Sequence, residues 1–208
     1  MQIEAYNDAD AFAERAAEWR ALTARSLART PFQTNEFQRV WWSHFGSGDL
    51  CLLAARADDG ALVGLVNMFV DPDGVLRWVG GEEIADYLDV IAAPSELESV
   101  RMAVFEWLAG PHAPDWKRAQ LSNIPEWTGT PEHWRALAAE RGWAAAVSEL
   151  DVCPVVPLPA TFEEYLAQID SKQRREIRRK RRRAEGSEDD VSWRIAAPGD
   201  DIAADTET

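Results

Sequence analysis

The sequence has few of the residues that cross-link or metallate small proteins. Its 208 residues include two cysteines, Cys51 and Cys153, and three histidines, none at a spacing typical of zinc ligands. The amino terminus lacks the basic and apolar stretches of a secretory signal. The longest apolar-rich run, residues 61–70, is far below the roughly 20 residues that span a bilayer. These absences predict a cytoplasmic protein without a metal site or a transmembrane segment.

Motifs of the common hydrolase and nucleotide sites are also missing. The chain contains no Gly-x-Ser-x-Gly nucleophile motif, no NTPase phosphate loop and no dinucleotide-binding glycine pattern. Ten tryptophans are present instead, an unusual number for this length. Large aromatic side chains form cores or line clefts for ligands. Trp41 and Trp42 cannot both face the core from one helix, so we expect one of them to line a groove or an interface.

Positive charge is concentrated in one segment of an otherwise acidic chain. The net charge of −14 disfavours general binding to nucleic acid or anionic membranes, and no DNA partner is expected. Residues 171–183 alone hold nine basic side chains and one acidic side chain, Glu176. That segment is +8, which leaves −22 for the rest of the chain. Any contact with a polyanion is therefore expected on this segment.

Turn signals between apolar runs predict a three-strand antiparallel meander. Asp58-Asp59-Gly60 and Asp71-Pro72-Asp73-Gly74 separate apolar runs at 50–57, 61–70 and 75–79. The fold class predicted is α+β, a mostly antiparallel mixed sheet flanked by helices and followed by a long basic helix. Helices are expected after Asp8, Thr34, Ser95 (a capping box with Glu98), Thr130 and Thr161, the last running unbroken to about Ala184. Further strands are expected at 2–6, 86–91, 118–124, 143–149, 152–156 and 191–195.

Two segments carry candidate site residues. Gly80 and Gly81 permit close approach of a ligand, and Asp86 and Asp89 follow them around Tyr87. We expect the two carboxylates to share one face of a short strand, where the pair can hold an amine or hydroxyl, or one member can act as a base. The alternative is a turn with capping acids. The arginine-rich segment can clamp phosphate, because guanidinium forks match phosphate oxygens. Its alternatives are a solvated helix or a latch to the acidic remainder.

An ordered set of short motifs resembles the N-terminal part of the CelD/BcsL-type acetyltransferases of the GNAT superfamily, which are similar to Fem-type peptidyltransferases. The resemblance covers roughly residues 1–185. The motifs are Thr30-Pro31-Phe32-Gln33, Trp41-Trp42, Phe45-Gly46, Val63-Gly64, Val79-Gly80-Gly81, Asp86-Tyr87-Leu88-Asp89, Gly142-Trp143, Phe162-Glu163-Glu164-Tyr165-Leu166 and the run from Lys172 to Lys180.

The resemblance implies an acyltransferase built from two GNAT-like lobes, of which this chain is the acceptor-side lobe. The donor, held by the second lobe, would be acyl-CoA (acetyl-CoA) or an aminoacyl ester, and the acceptor would be an amine or hydroxyl on a small molecule or cell-envelope precursor. The family's Gln/Arg-x-x-Gly-x-Gly/Ala loop for CoA pyrophosphate is not found, so weak donor binding and a truncated second lobe are expected. The expected organisation is a lobe at 1–160, a basic connecting helix at 161–185, and an acidic linker with the start of a second lobe at 186–208.

The resemblance also suggests roles for individual residues. Asp86 and Asp89 would contact the acceptor or remove its proton. The other expected substrate-binding residues are Trp41, Gly80, Gly81 and Tyr87, with Lys172, Arg175 and Arg179 for a phosphate-bearing substrate. The alternative function is a non-catalytic binding module whose arginine helix contacts a polyanion such as RNA, a nucleotide-sugar or anionic lipid.

Overall fold

The computed structural model describes residues 1–186, 194–197, 199–201 and 204. The chain divides after Val152 into two compact units. Among the described residues, the first unit contains a sheet and five α-helices, and the second contains two α-helices. The strands are β1 (Gln2–Tyr6), β2 (Asp49–Arg56), β3 (Leu62–Val70), β4 (Val75–Trp78), β5 (Ile91–Ala92) and β6 (Arg118–Ala119). The helices are α1 (Asp10–Glu14), α2 (Ala16–Thr23), α3 (Asn35–Phe45), α4 (Leu97–Leu108), α5 (Thr130–Glu140), α6 (Phe162–Gln168) and α7 (Ser171–Glu185).

The strands form one mixed sheet in the order β1-β2-β3-β4-β6, with β5 pairing to β3. The pairs from β1 through β4 are antiparallel, as is β3–β5, whereas β4 and β6 are parallel. The predicted meander and the α+β class are therefore confirmed. Both turns close as their chemistry predicts, with Gly60 and Gly74 at positive φ.

Helices cover both faces of the sheet and bury two apolar clusters. One cluster joins α4 and α5 to the face that carries Cys51, Leu53 and Met68. The other joins α1, α2 and α3 to the opposite face, through Leu52 and Phe69 among others. Adjacent β2 residues point to opposite clusters, as the two-residue period of a strand requires. β2 and β3 read as nearly continuous apolar runs because both of their faces are covered.

Two predicted strands are wrong in the described structure. Residues 144–158 form no strand and are exposed throughout, although they contain apolar residues such as Val155 and Leu158. A strand needs a neighbour for its backbone hydrogen bonds, and the prolines at 154 and 157 donate none. The predicted strands at 86–91 and 118–124 shorten to β5 and β6, and most of the predicted strand at 191–195 lies outside the described residues.

Helix starts were predicted with mixed success. Thr34 caps α3 by accepting from the Phe37 amide, and Thr161 forms its capping box with Glu164. The Ser95 box is wrong, because α4 begins after Glu96 without a side-chain cap. The single helix from Thr161 to Ala184 is also wrong: it breaks into α6 and α7 at residues 169–170. Asp170 caps the new helix, accepting from two backbone amides at 2.8 and 3.0 Å.

Candidate functional site

The glycine pair lies where β4 ends, packed tightly against two side chains. Gly80 and Gly81 have φ of +127° and +74°, values that favour glycine. A Cβ on Gly81 would lie 2.8 Å from Trp41 Nε1, and a Cβ on Gly80 would lie 2.7 Å from a Leu88 methyl carbon. The close approach at this pair is made by the chain's own side chains, and the approach of a ligand to these glycines stays a prediction.

A small cleft of about 120 Å³ opens beside this turn. Its size matches roughly four waters of bulk liquid, so it accommodates a small group or one end of a larger molecule. Its apolar lining comes from Trp41, Phe69, Trp78 and Leu88, and its polar lining from Arg77, Glu82, Gln120 and Ser122. Trp41, from the predicted site set, thus lines a groove while being largely buried.

The cleft sits where β4 and the segment after β6 separate. Their last adjacent bond runs from the Gln120 amide to the Leu76 carbonyl (2.9 Å). Further along, the segment after β6 is instead bound by the loop that follows β4, through the bond from the Leu88 amide to the Asn123 carbonyl (2.9 Å). Between these bonds, no backbone hydrogen bond of the described residues joins Trp78 to Gln120 or Ser122. In a strand, every second residue directs its backbone N–H and C=O groups to the same edge. Because the backbone groups of Leu76 are directed to β6, those of Trp78 are directed into the separation.

Two tryptophan side chains of the cleft have unsatisfied polar atoms. Within the described part of the chain, Trp41 Nε1 and Trp78 Nε1 are buried and find no acceptor. A buried donor without a partner costs about 1–3 kcal/mol. Such a cost is common at sites that bind a ligand, because an acceptor on the ligand offsets it.

A carboxylate and a hydroxyl meet at the polar edge of the cleft. Ser122 Oγ donates to Glu82 Oε2 at 2.5 Å, and Gln120 Nε2 lies 3.5 Å from the same oxygen. Asn123, at a positive φ of 63°, fixes the loop by donating to the backbone carbonyls of Glu82 (2.8 Å) and Ala85 (2.5 Å). Sequence reasoning missed Glu82 and Ser122, which lie 40 residues apart and belong to no motif.

Arg77, the cation of the cleft, is held by a neighbouring turn. Its Nε donates to Asp71 Oδ2 at 2.8 Å. Asp71 also accepts from the amides of Asp73 and Val75, at 3.0 and 2.9 Å. The hydrogen bond from Arg77, followed by those from the backbone, lowers the pKa of Asp71. The arginine therefore reaches the cleft with its charge partly neutralised.

The two predicted carboxylates, Asp86 and Asp89, do not share a face. Asp86 is exposed, whereas Asp89 is 3% exposed. They are three positions apart in the sequence, and extended backbone alternates its side chains, so the expected common face is wrong. Tyr87, between them, is half-buried and packs on Trp127, with ring centroids 5.5 Å apart.

Asp89 is surrounded by hydrogen-bond donors. Thr130 Oγ1 lies 2.7 and 2.9 Å from its two carboxylate oxygens, and the Val90 amide donates at 2.7 Å. Burial raises the pKa of Asp89, opposed by these hydrogen bonds and by the buried guanidinium of Arg101. Arg101 in turn donates to the Thr128 carbonyl. This placement favours a positioning role for Asp89, which joins β5 to the start of α5, over direct contact with an acceptor.

The remaining predicted residues, Lys172, Arg175 and Arg179, lie together in the second unit. All three are exposed on α7 at positions i, i+3 and i+7, which one side of a helix shares. Arg179 pairs with Glu176 at 2.6 Å. The spacing expected of a phosphate clamp is therefore present on α7.

A larger surface hollow of about 740 Å³ lies beside β1 and contains its own charge network. Arg56 bridges Glu4 at 2.9 Å and Glu18 at 2.6 Å, while Tyr6 donates to Glu4 at 2.5 Å. These hydrogen bonds lower the pKa of Glu4 and raise that of Arg56. Because the charges satisfy one another, the hollow offers a ligand little that is unpaired.

Neither a metal site nor a membrane-spanning helix is found among the described residues. The described residues contain no group of three or more histidine, cysteine or acidic side chains able to hold a metal ion. No helix among them combines the length and apolar character that crossing a bilayer requires. Comparison with protein-family models, curated proteins and solved structures gives no match to this chain. The function must therefore be argued from the geometry of the site.

Proposed function

We propose that the first unit is a GNAT-class lobe whose cleft holds both the acceptor and the thioester end of the donor, and that it transfers an acyl group from acyl-CoA to an amine or hydroxyl. The proposal rests chiefly on one observation, the cleft at the point where β4 and the segment after β6 separate. A strand that ends beside a cleft presents backbone groups to a ligand. The mixed, mostly antiparallel sheet flanked by helices is compatible with a GNAT-like lobe.

The cleft supplies the two elements that acyl transfer needs. The backbone amide of Trp78 is a donor at the strand edge, suited to polarising a thioester carbonyl. Glu82 is the carboxylate at the opposite, polar edge, hydrogen-bonded to Ser122. The apolar walls, Trp41, Phe69, Trp78 and Leu88, are buried and restrict water beside the Trp78 amide, whereas Glu82 is exposed and open to proton exchange with solvent.

The proposed reaction has a simple bond balance. The acceptor nitrogen or oxygen attacks the thioester carbon, a C–N or C–O bond forms, and the C–S bond breaks. The proton that leaves the acceptor passes to Glu82, and the departing thiolate takes a proton back through the Ser122 hydroxyl. Asp86 lies exposed, where it is available to attract a cationic acceptor, and Asp89 holds the loop in place.

Thiol release from acetyl-CoA tests the proposal. Because no CoA pyrophosphate loop is found in the sequence, we expect acetyl-CoA to bind with a dissociation constant above the micromolar range. A micromolar constant corresponds to a binding free energy of about −8 kcal/mol. The assay therefore needs a high donor concentration. With a panel of amines and alcohols, Glu82→Gln should lower the rate at least about 100-fold, as loss of a general base does.

Glu83→Gln is the matched control, since Glu83 is an exposed neighbour outside the cleft. It should leave the rate unchanged. Two outcomes would exclude acyl transfer at the cleft. In the first, the native chain does not accelerate thiol release with any amine or alcohol. In the second, Glu82→Gln and Glu83→Gln change the rate equally.

A further inference from the structure

The two helices of the second unit form an antiparallel hairpin. Arg178 pairs with Glu163 at 2.6 Å, and Arg181 lies over the ring of Phe162, 5.7 Å from its centroid. At the other end, Arg174 donates to the backbone carbonyl of Ile169 at 3.0 Å. These contacts all come from one side of α7, which therefore faces α6. The opposite side of α7 is free to meet something else.

That opposite side carries a continuous basic stripe, defined here as Lys172, Arg175, Arg179, Arg182 and Arg183. At 3.6 residues per turn, these positions fall within an arc of about 100° and extend over about 16 Å of the helix. All five side chains belong to exposed residues. A linear array of this length suits a chain of anionic groups better than a single phosphate.

Most of the stripe lacks a carboxylate partner. Within the part of the chain that the structure describes, ion pairs engage Arg178, Arg179, Lys180 and Arg181 of α7. Four members of the basic stripe have no such pair in the same residues, and the fifth, Arg179, has an exposed pair worth at most about 1 kcal/mol. The stripe can therefore exchange water for phosphate at low cost, and a polyanion would relieve its internal repulsion.

Aromatic rings lie at one edge of the basic stripe. Arg182 follows Arg178 by four residues and so neighbours the side that faces α6. On α6, Phe162 is 46% exposed and stacks on Tyr165, with centroids 6.2 Å apart. Cationic grooves bordered by exposed aromatic rings bind single-stranded nucleic acid, because the phosphates meet the cations while the bases stack on the rings.

We propose that the α6–α7 hairpin binds the phosphodiester backbone of single-stranded nucleic acid along the basic stripe, with a base taking the place of the exposed Arg181 side chain over the ring of Phe162. A membrane surface fits less well, because interfacial helices insert an apolar face, and α7 has no buried residue and only Ile177 and Ala184 as apolar side chains. The proposal does not depend on acyl transfer in the first unit.

Fluorescence anisotropy with labelled oligouridine and oligothymidine of equal length tests the proposal on the full chain. We expect binding at low salt that weakens with a log–log slope of about −3, since each phosphate contact contributes about 0.7 on single strands. Arg175→Gln/Arg182→Gln should weaken binding roughly tenfold and reduce the slope by about 1.4. Phe162→Leu should weaken it at least about fivefold through lost stacking.

Arg39→Gln/Arg135→Gln is the control, because it removes the same charge from two exposed positions of the first unit. It should bind like the native chain. Binding of either oligonucleotide with these signatures supports the proposal, and the ratio of the two affinities identifies RNA or DNA as the source.

Three outcomes would overturn the proposal. The first is that neither oligonucleotide binds at low salt. The second is that the stripe variant and the control variant lose affinity equally. The third is that the chain binds phosphatidylserine vesicles but neither oligonucleotide.

Discussion

At the scale of single residues, burial separates side chains that look equivalent in the sequence. Asp86 and Asp89 sit in one short motif, yet one is exposed and the other is enclosed by Thr130 and the Val90 amide. Cys51 is buried within β2, whereas Cys153 is exposed. Neither difference can be read from local sequence, because it depends on which distant segments cover each position.

Asp89 should make stability depend on pH in an unusual direction. Its folded pKa is raised by burial, so above the ordinary value of 3.8 the folded state holds a proton that the unfolded state has lost. Stability contributed by Asp89 is therefore greatest at low pH and declines as pH rises past that value. The free energy of unfolding can be measured with urea for the native chain and for Asp89→Asn at several pH values. The native value minus the Asp89→Asn value should fall as pH increases.

Asp86→Asn serves as the control for this titration, since Asp86 is exposed and belongs to the same motif. We expect Asp86→Asn to leave the free energy of unfolding close to the native value, because substitution of an exposed side chain changes stability little. A native advantage over Asp89→Asn that grows with pH would mean that the hydrogen bonds from Thr130 and Val90 outweigh burial.

The two thiols should react at very different rates. Burial raises the pKa of Cys51 to about 12, so at pH 8 almost none of it is thiolate, and the thiolate is the reactive form. A chromogenic disulfide reagent should titrate one thiol per folded chain and two in denaturant. Cys153→Ser should leave no rapidly reacting thiol; rapid reaction in that variant would show that Cys51 is accessible.

At the scale of elements, the sequence predicts what local chemistry decides. The meander followed from its two aspartate-rich turns, and the starts of α3 and α6 followed from threonine caps, because each signal lies within a few residues of its effect. The strands at 143–156 failed because pairing depends on a distant neighbour. The Glu82–Ser122 contact had no signal either, since two loops far apart in sequence must first converge.

The glycine at the end of β4 offers a test of how tightly the cleft is built. Gly81→Ala should destabilise the protein by about 2 kcal/mol or more, because alanine is strained at φ +74° and its methyl would collide with Trp41. Gly142→Ala has nearly the same φ, +72°, but nothing within 4 Å of the new methyl. Chemical denaturation should therefore show a larger loss for Gly81→Ala, accompanied by a change in tryptophan fluorescence. Equal losses would mean that Trp41 yields freely.

At the scale of the whole molecule, the boundary between the two units lies within an exposed stretch of chain. Residues 144–158 are exposed and belong to no helix or strand. Backbone without secondary structure is the preferred substrate of proteases. The sheet of the first unit and the helical hairpin of the second lie on either side of it in sequence.

Limited proteolysis should exploit this stretch first. A glutamate-specific protease should cut after Glu149 before it cuts within the helices, and mass spectrometry of the early fragments identifies the site. The larger fragment should keep its β-sheet circular dichroism, since all six strands precede the cut. Glu149→Gln should abolish the early fragment. An early cut within α4 or α5 instead would show that the first unit opens more readily than its burial indicates.

The exposed stretch also bears on how concentrated samples behave. Exposed valines and leucines between residues 147 and 158 form the kind of segment from which fibrils grow. Here, however, Pro154, Pro157 and Pro159 each remove a backbone donor, and Glu149 and Asp151 place like charges on neighbouring molecules. Prolines and charges of this kind act as gatekeepers against cross-β assembly. The composition that keeps these residues out of the sheet therefore also hinders the pairing of this stretch between neighbouring molecules.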